Sequence, residues 1–252
     1  MRPMATLTTV KAPRRARLHA RPEPVERAGL DRGASMPKNR RRWLALLATI
    51  ALSVTTLAWM QRHYGARSDD LATASPELQA VLWPVPHPVA PFHMHDQHGA
   101  VFSTEQLRGQ WNFLFFGYLQ CPDVCPTTLQ SLAQFRRSLL AADPAARRDR
   151  FVFVTVDPAH DDSTRMSSYL AYFDRDFVGL TGAPDQLAAL ARSLGVAYAE
   201  HVDAQGVRSM DHSTSVVLVD PDGQVVGALP APHDPVRMLR LFRQLQTHHR
   251  GI

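Results

Sequence analysis

An α/β fold of thioredoxin-like arrangement behind a single N-terminal transmembrane helix is what three features of the sequence predict. Apolar strand-like runs alternate with helical stretches, and the order ends in a hairpin followed by a helix. The only two cysteines, Cys121 and Cys125, sit between one such run and the start of a helix. A long uncharged segment, Trp43 to Gln61, precedes all of this.

The N-terminal part is basic and the body is not. Residues 1–42 hold 12 Lys and Arg against 3 acids, whereas residues 43–252 hold 16 against 20. A nucleic-acid-binding domain carries a basic face of its own, so this distribution argues against a nucleic-acid partner. Residues 1–42 read as a disordered basic arm, with Met36 as an alternative start. Residues 43–61 read as the membrane anchor, because about 20 apolar residues cross the hydrocarbon core. Arginines in front of the run and Trp43 and Trp59 near its ends predict a cytoplasmic N-terminus. The following domain is then periplasmic, on a single-pass protein of the bacterial inner membrane. The alternatives are a cleaved signal peptide and the mitochondrial inner membrane.

Residues 62–91, with prolines at 76, 84, 86, 88 and 91, read as a linker. Residues 92–252 read as the folded domain. His93 to Phe102 suggests two short strands around a turn at Gln97–Gly99, and Trp111–Tyr118 suits a central strand. Pro126 opens a helix whose Leu129, Leu132, Ala133, Phe135 and Leu139 form an apolar stripe. Phe151–Val156 is the next buried strand, and Ser163 can cap a helix carrying Met166 and Leu170. Phe177–Leu180 is a short strand, followed by a helix over Pro184–Leu194 with Gly195 at its C-terminal stop. Asp220-Pro221-Asp222-Gly223 is a turn between strands at Ser215–Val219 and Gln224–Ala228, and Asp234-Pro235 starts the last helix.

The cysteine pair carries the chemistry. Cys125 falls at the expected helix N-terminus, where the helix dipole favours thiolate. Two thiolates make a soft site suited to Cu(I), and His212, just before the strand at Ser215, can supply a third donor. By spacing alone, a structural disulfide or a redox couple fits the cysteines as well. Histidines elsewhere, such as His93 and His95, fit surface roles.

Several blocks in order carry a more specific resemblance. They are Gly117-Tyr118, Cys121-Pro122-Asp123-Val124-Cys125-Pro126, Phe153-Val154-Thr155-Val156-Asp157-Pro158, Phe177 to Gly182, Asp211-His212-Ser213 and Val219 to Gly223. Together with the anchor they resemble the SCO/SenC family over residues 90–247. Leu119-Gln120 depart from the family pattern. The resemblance implies that Cys121, Cys125 and His212 are copper ligands, for Cu(I), Cu(II) or both, with Asp157 an auxiliary candidate. It implies a metallochaperone rather than an enzyme. Copper would pass to the dinuclear copper site of cytochrome c oxidase subunit II, with another copper chaperone as a donor and the chain a monomer or weak dimer. Its alternative is a thiol-disulfide oxidoreductase that keeps that site's cysteines reduced.

Overall fold

The computed structural model describes residues 38–250 and divides into two units, residues 1–54 and 55–252. The expected arm up to residue 37, with Met36, lies outside the described residues. Helix α1 spans Lys38–Thr73. Within it, Arg42–Trp59 is long and apolar enough to cross a membrane, and Leu44, Leu47, Ile50 and Leu57 are all exposed. At 1.5 Å per residue this stretch covers about 27 Å, close to the hydrocarbon thickness.

The domain is built on an eight-stranded mixed sheet. Its strands are β1 (Leu82–Pro88), β2 (His93–Asp96), β3 (Val101–Ser103), β4 (Asn112–Gly117), β5 (Arg150–Thr155), β6 (Val178–Thr181), β9 (Val216–Val219) and β10 (Gln224–Leu229). They lie in the order β1-β10-β9-β4-β5-β6-β2-β3. β4, β5 and β6 pair in parallel, with Phe113 opposite Phe151 and Phe115 opposite Phe153. A separate two-stranded sheet joins β7 (Tyr198–Val202) to β8 (Arg208–His212).

β4 is apolar at every position from Phe113 to Phe116 because both of its faces are covered. Phe113 and Phe115 point into one core layer and Leu114 and Phe116 into the other. The first layer is closed by α3 (Val124–Ala142) and α6 (Pro235–Arg250), through Leu129, Leu132, Phe135, Leu241 and Phe242. α4 (Ser163–Phe173) adds Met166 and Leu170 to it, while α5 (Pro184–Ser193) covers the second layer with Leu187 and Leu190. Arg136 of α3 is buried but paired, with Asp174 at 2.9 Å and with Asp176. α4 is capped by Asp162, whose carboxylate accepts from the Arg165 N–H, rather than by Ser163.

The expected linker is corrected by the sheet. Part of 62–91 continues α1, Pro76–Gln79 form the short helix α2, and Leu82–Pro88 form β1, paired to β10. Pro84, Pro86 and Pro88 are tolerated because β1 is an edge strand, where one row of backbone groups needs no partner in the ladder. Gly227 of β10 is required here, since a Cβ would lie 2.2 Å from the Val81 carbonyl oxygen. The β7–β8 hairpin has no sequence signature, because its residues, exposed or half-buried, show no apolar alternation.

Asp149, just before β5, accepts a hydrogen bond from the Trp111 N–H at 3.2 Å. Burial, with Asp143 nearby, pushes its carboxyl up to about 6. From about pH 4 to 6 the folded chain thus holds a proton that the unfolded chain has released. Its stabilising contribution is full at the acid end and lost as pH rises through 6. Asp149→Asn is expected to flatten this part of the stability profile, measured as urea midpoints across that range; an unchanged slope would contradict the assignment.

Candidate metal centre

The sheet's C-terminal edge at β4 brings the predicted residues together. β4 ends at Gly117, and a loop stitched by a hydrogen bond from the Cys121 N–H to the Tyr118 carbonyl (3.3 Å) leads into α3. Cys121 is half-buried and Cys125 is fully buried. α3 begins at Val124, two residues earlier than Pro126, so Cys125 lies inside the first turn rather than at its cap. Its N–H donates to Cys121 Sγ at 3.4 Å, and both cysteines are free thiols.

His212 arrives from the far end of the chain as the last residue of β8, four positions ahead of β9, so it ends a strand and does not lie in a loop. Its Nε2 lies 3.6 Å from Cys125 Sγ. Its Nδ1 sits 3.0 Å from the Ser213 carbonyl oxygen, and a proton donated there leaves the Nε2 lone pair facing the sulfur. Ser213 is itself held by Ala197, through Ser213 N–H to the Ala197 carbonyl (2.9 Å) and Ala197 N–H to Ser213 Oγ (3.0 Å). Phe115 and Tyr118 meet the imidazole edge-on, with ring centroids at 5.9 and 6.2 Å.

One donor atom each from Cys121, Cys125 and His212 lie within 4.8 Å of one another. With metal–sulfur and metal–imidazole bonds of about 2.3 and 2.0 Å, the 3.6 Å separation corresponds to an angle of roughly 114° at a shared ion. The spacing fits a trigonal or tetrahedral centre. Gly117 makes room for it, because a Cβ there would lie 2.7 Å from Cys125 Sγ and 2.9 Å from the Phe153 ring. An open cleft of about 340 Å³, lined by Tyr198, Asp211, His212 and Ser213, reaches the imidazole from solvent.

Electrostatics correct one expectation. Burial, with Cys121 beside it, pushes the Cys125 thiol well above its ordinary range, so desolvation outweighs the helix end in the metal-free protein. Deprotonating this sulfur would take a bound cation rather than the helix end.

Neighbouring carboxylates brace the site. Asp161, buried behind the loop, accepts from the Leu119 N–H (3.1 Å) and from Thr155 Oγ1 (2.5 Å), tying the cysteine loop to β5. Asp157 is not among the converging donors. It pairs with Arg208 Nη2 at 2.6 Å and with His160 Nδ1 at 2.8 Å. Arg208 stands on the same strand as His212, so this ion pair fastens the histidine hairpin to the loop after β5. No sequence signal marks Arg208, since a lone arginine outside any motif reads as a solvated side chain. His93 and His95 stay exposed on β2, an interior strand that places them away from the pair.

Comparisons with known proteins agree with this geometry. The SCO1/SenC family profile matches residues 85–246. A protein of Stutzerimonas stutzeri named for copper binding is 35% identical over 176 residues, 69% of this chain and 84% of its own length. The mitochondrial SCO2 homologue of Homo sapiens is 38% identical over 133 residues, 52% of this chain and 50% of its own, so the match spans about half of that relative. Among solved structures, Bradyrhizobium japonicum ScoI with copper bound superimposes with a TM-score of 0.56 at 31% identity, covering 63% of this chain and 99% of that one. With a thioredoxin-like fold and a match over more than half of its length, the chain belongs to the SCO1/SenC family.

Proposed function

We propose that this protein is a membrane-anchored copper metallochaperone that holds copper through Cys121, Cys125 and His212 and delivers it during assembly of cytochrome c oxidase. The observation that carries this reading is the convergence of two sulfurs and one imidazole nitrogen within 4.8 Å. Two soft thiolates and one borderline nitrogen select copper over hard cations. The name of the Stutzerimonas stutzeri relative and the copper-bound ScoI structure support the same cargo. The recipient in this reading is the dinuclear copper site of subunit II, served by ligand exchange. A three-donor site beside an open cleft leaves a face where an incoming thiolate can attack before the first donors let go.

The apolar stretch Arg42–Trp59 is the anchor in this reading. Basic residues at its N-terminal end favour a cytoplasmic N-terminus and a periplasmic domain in a bacterial inner membrane. Anchoring confines the search for the oxidase to two dimensions.

His212→Ala tests the assignment. Copper affinity is expected to fall at least about tenfold with the fold retained, because the two sulfurs remain and the half-buried imidazole is not a core side chain. Competition against a copper chelator measures it, and unaltered affinity would remove His212 from the site.

A second reading is thiol-disulfide exchange with a partner's cysteines. It is favoured by the pairing of a half-buried Cys121 with a fully buried Cys125 in adjacent turns, the layout of an attacking and a resolving thiol. The same variant separates the two. Biological function retained in His212→Ala but lost in Cys121→Ser points to exchange, and loss in both points to copper.

A further inference from the structure

At the other end of β4, a second group of donor side chains meets. Asp220 follows β9, and the two oxygens of its carboxylate have different fates. Oδ1 accepts from the backbone N–H groups of Asp222 (3.0 Å) and Gln224 (2.8 Å), closing the turn into β10. Oδ2 is buried without a hydrogen-bond partner, in a residue only 1% exposed. The imidazole of His249, in the last turn of α6, points Nδ1 at it from 3.9 Å, beyond hydrogen-bond range. One ligand atom each from Asp220, Asp222 and His249 lie within 4.8 Å of one another. A buried carboxylate oxygen with no donor is costly, and a cation seated among these three groups removes that cost.

We propose that Asp220, Asp222 and His249 form a second metal site, for a divalent transition-metal ion bound through carboxylate and imidazole. Two hard anionic oxygens and one borderline nitrogen suit Zn²⁺ or Co²⁺ and do not suit Cu(I), the opposite preference from the cysteine site. The two sites do not share ligands. Asn112, at the start of β4, pairs with Val219 beside Asp220, whereas Gly117 at its end adjoins the cysteine loop. Five residue steps of extended strand from one to the other span about 16 Å. An ion at this second site cross-links the β9–β10 turn to the last turn of α6. Its access is from solvent, since Asp222 is exposed and the His249 side chain is about a quarter exposed. Trp111, whose ring lies 5.2 Å from that of His249, is a built-in reporter of occupancy.

The test uses the full chain in detergent with Cys121→Ser and Cys125→Ser, so that the first site cannot contribute. Zn²⁺ is titrated calorimetrically, and Co²⁺ is followed by quenching of tryptophan fluorescence. One equivalent of Zn²⁺ is expected to bind, with affinity at least about tenfold weaker after adding either His249→Ala or Asp222→Asn. Both of these side chains reach solvent, so the variants should keep the fold, checked by far-UV circular dichroism. Asp220→Asn is the weaker probe because it also disturbs the turn. Equal Zn²⁺ affinity with and without His249 would overturn the proposal. So would an absence of Zn²⁺ uptake with His249→Ala lowering the melting temperature, which would reduce the cluster to an ion pair.

Discussion

Cys125→Ser is expected to lower Cu(I) affinity by more than about 100-fold, beyond the 10–100-fold typical of changes one shell outside a metal. The substitution keeps the size of the side chain and removes the soft donor. A serine hydroxyl does not ionise near neutral pH and is a poor partner for a soft ion. Cys125 is also the best-buried of the three donors, touching both His212 Nε2 and the Cys121 loop. Its loss therefore removes a soft, buried donor, whereas His212→Ala removes a half-buried nitrogen. Chelator competition with the reduced protein reads the change, and circular dichroism confirms that the fold survives. Affinity within a few-fold of the parent would mean that copper is held elsewhere.

Phe113→Ala has the largest expected effect on stability. The ring is fully buried at the middle of the sheet, 4.6 Å from Phe151, 4.9 Å from Phe242 and 5.1 Å from Phe135. It joins β4 and β5 to α3 and α6 inside a close-packed layer, so truncating it opens a cavity. Truncating a core phenylalanine costs about 3–5 kcal/mol. At 2–4 °C per kcal/mol for a domain of this size, the melting temperature falls by roughly 6–20 °C. β4 and α3 also carry the two ends of the cysteine loop, so copper should recover part of that loss by binding the folded state, which assembles all three donors, more tightly than the unfolded chain. Thermal unfolding with and without Cu(I) measures both effects. A shift below about 2 °C would show that the layer repacks.

The strands and helices that flank the cysteines were legible because each writes its own pattern. β4 and β5 are unbroken apolar runs, and α3 and α6 carry apolar stripes that only a helix aligns. β1 was not legible, because its three prolines look like a linker until β10 supplies the partner. The β7–β8 hairpin was hidden for a related reason. Its residues mix polar and apolar types at exposed and half-buried positions, and its order comes from cross-strand pairs such as Tyr198 with His212. The brace from Asp157 to Arg208 links positions 51 residues apart, and no local pattern announces it.

Composition and local spacing narrowed the chemistry of the site to that of two sulfurs: a disulfide, a redox couple or a soft metal site. Two cysteines in one loop between a strand and a helix are held near each other whatever the rest of the chain does, and two sulfurs define a soft site. Tertiary structure decided the rest. His212 lies 87 residues from Cys125 and meets it only because β9 pairs with β4, which brings the end of β8 over the cysteine loop. The state of Cys125 was also a tertiary matter. Its place in the first turn of α3 argues for thiolate, but desolvation depends on what packs around it, and burial in the first core layer favours the protonated sulfur.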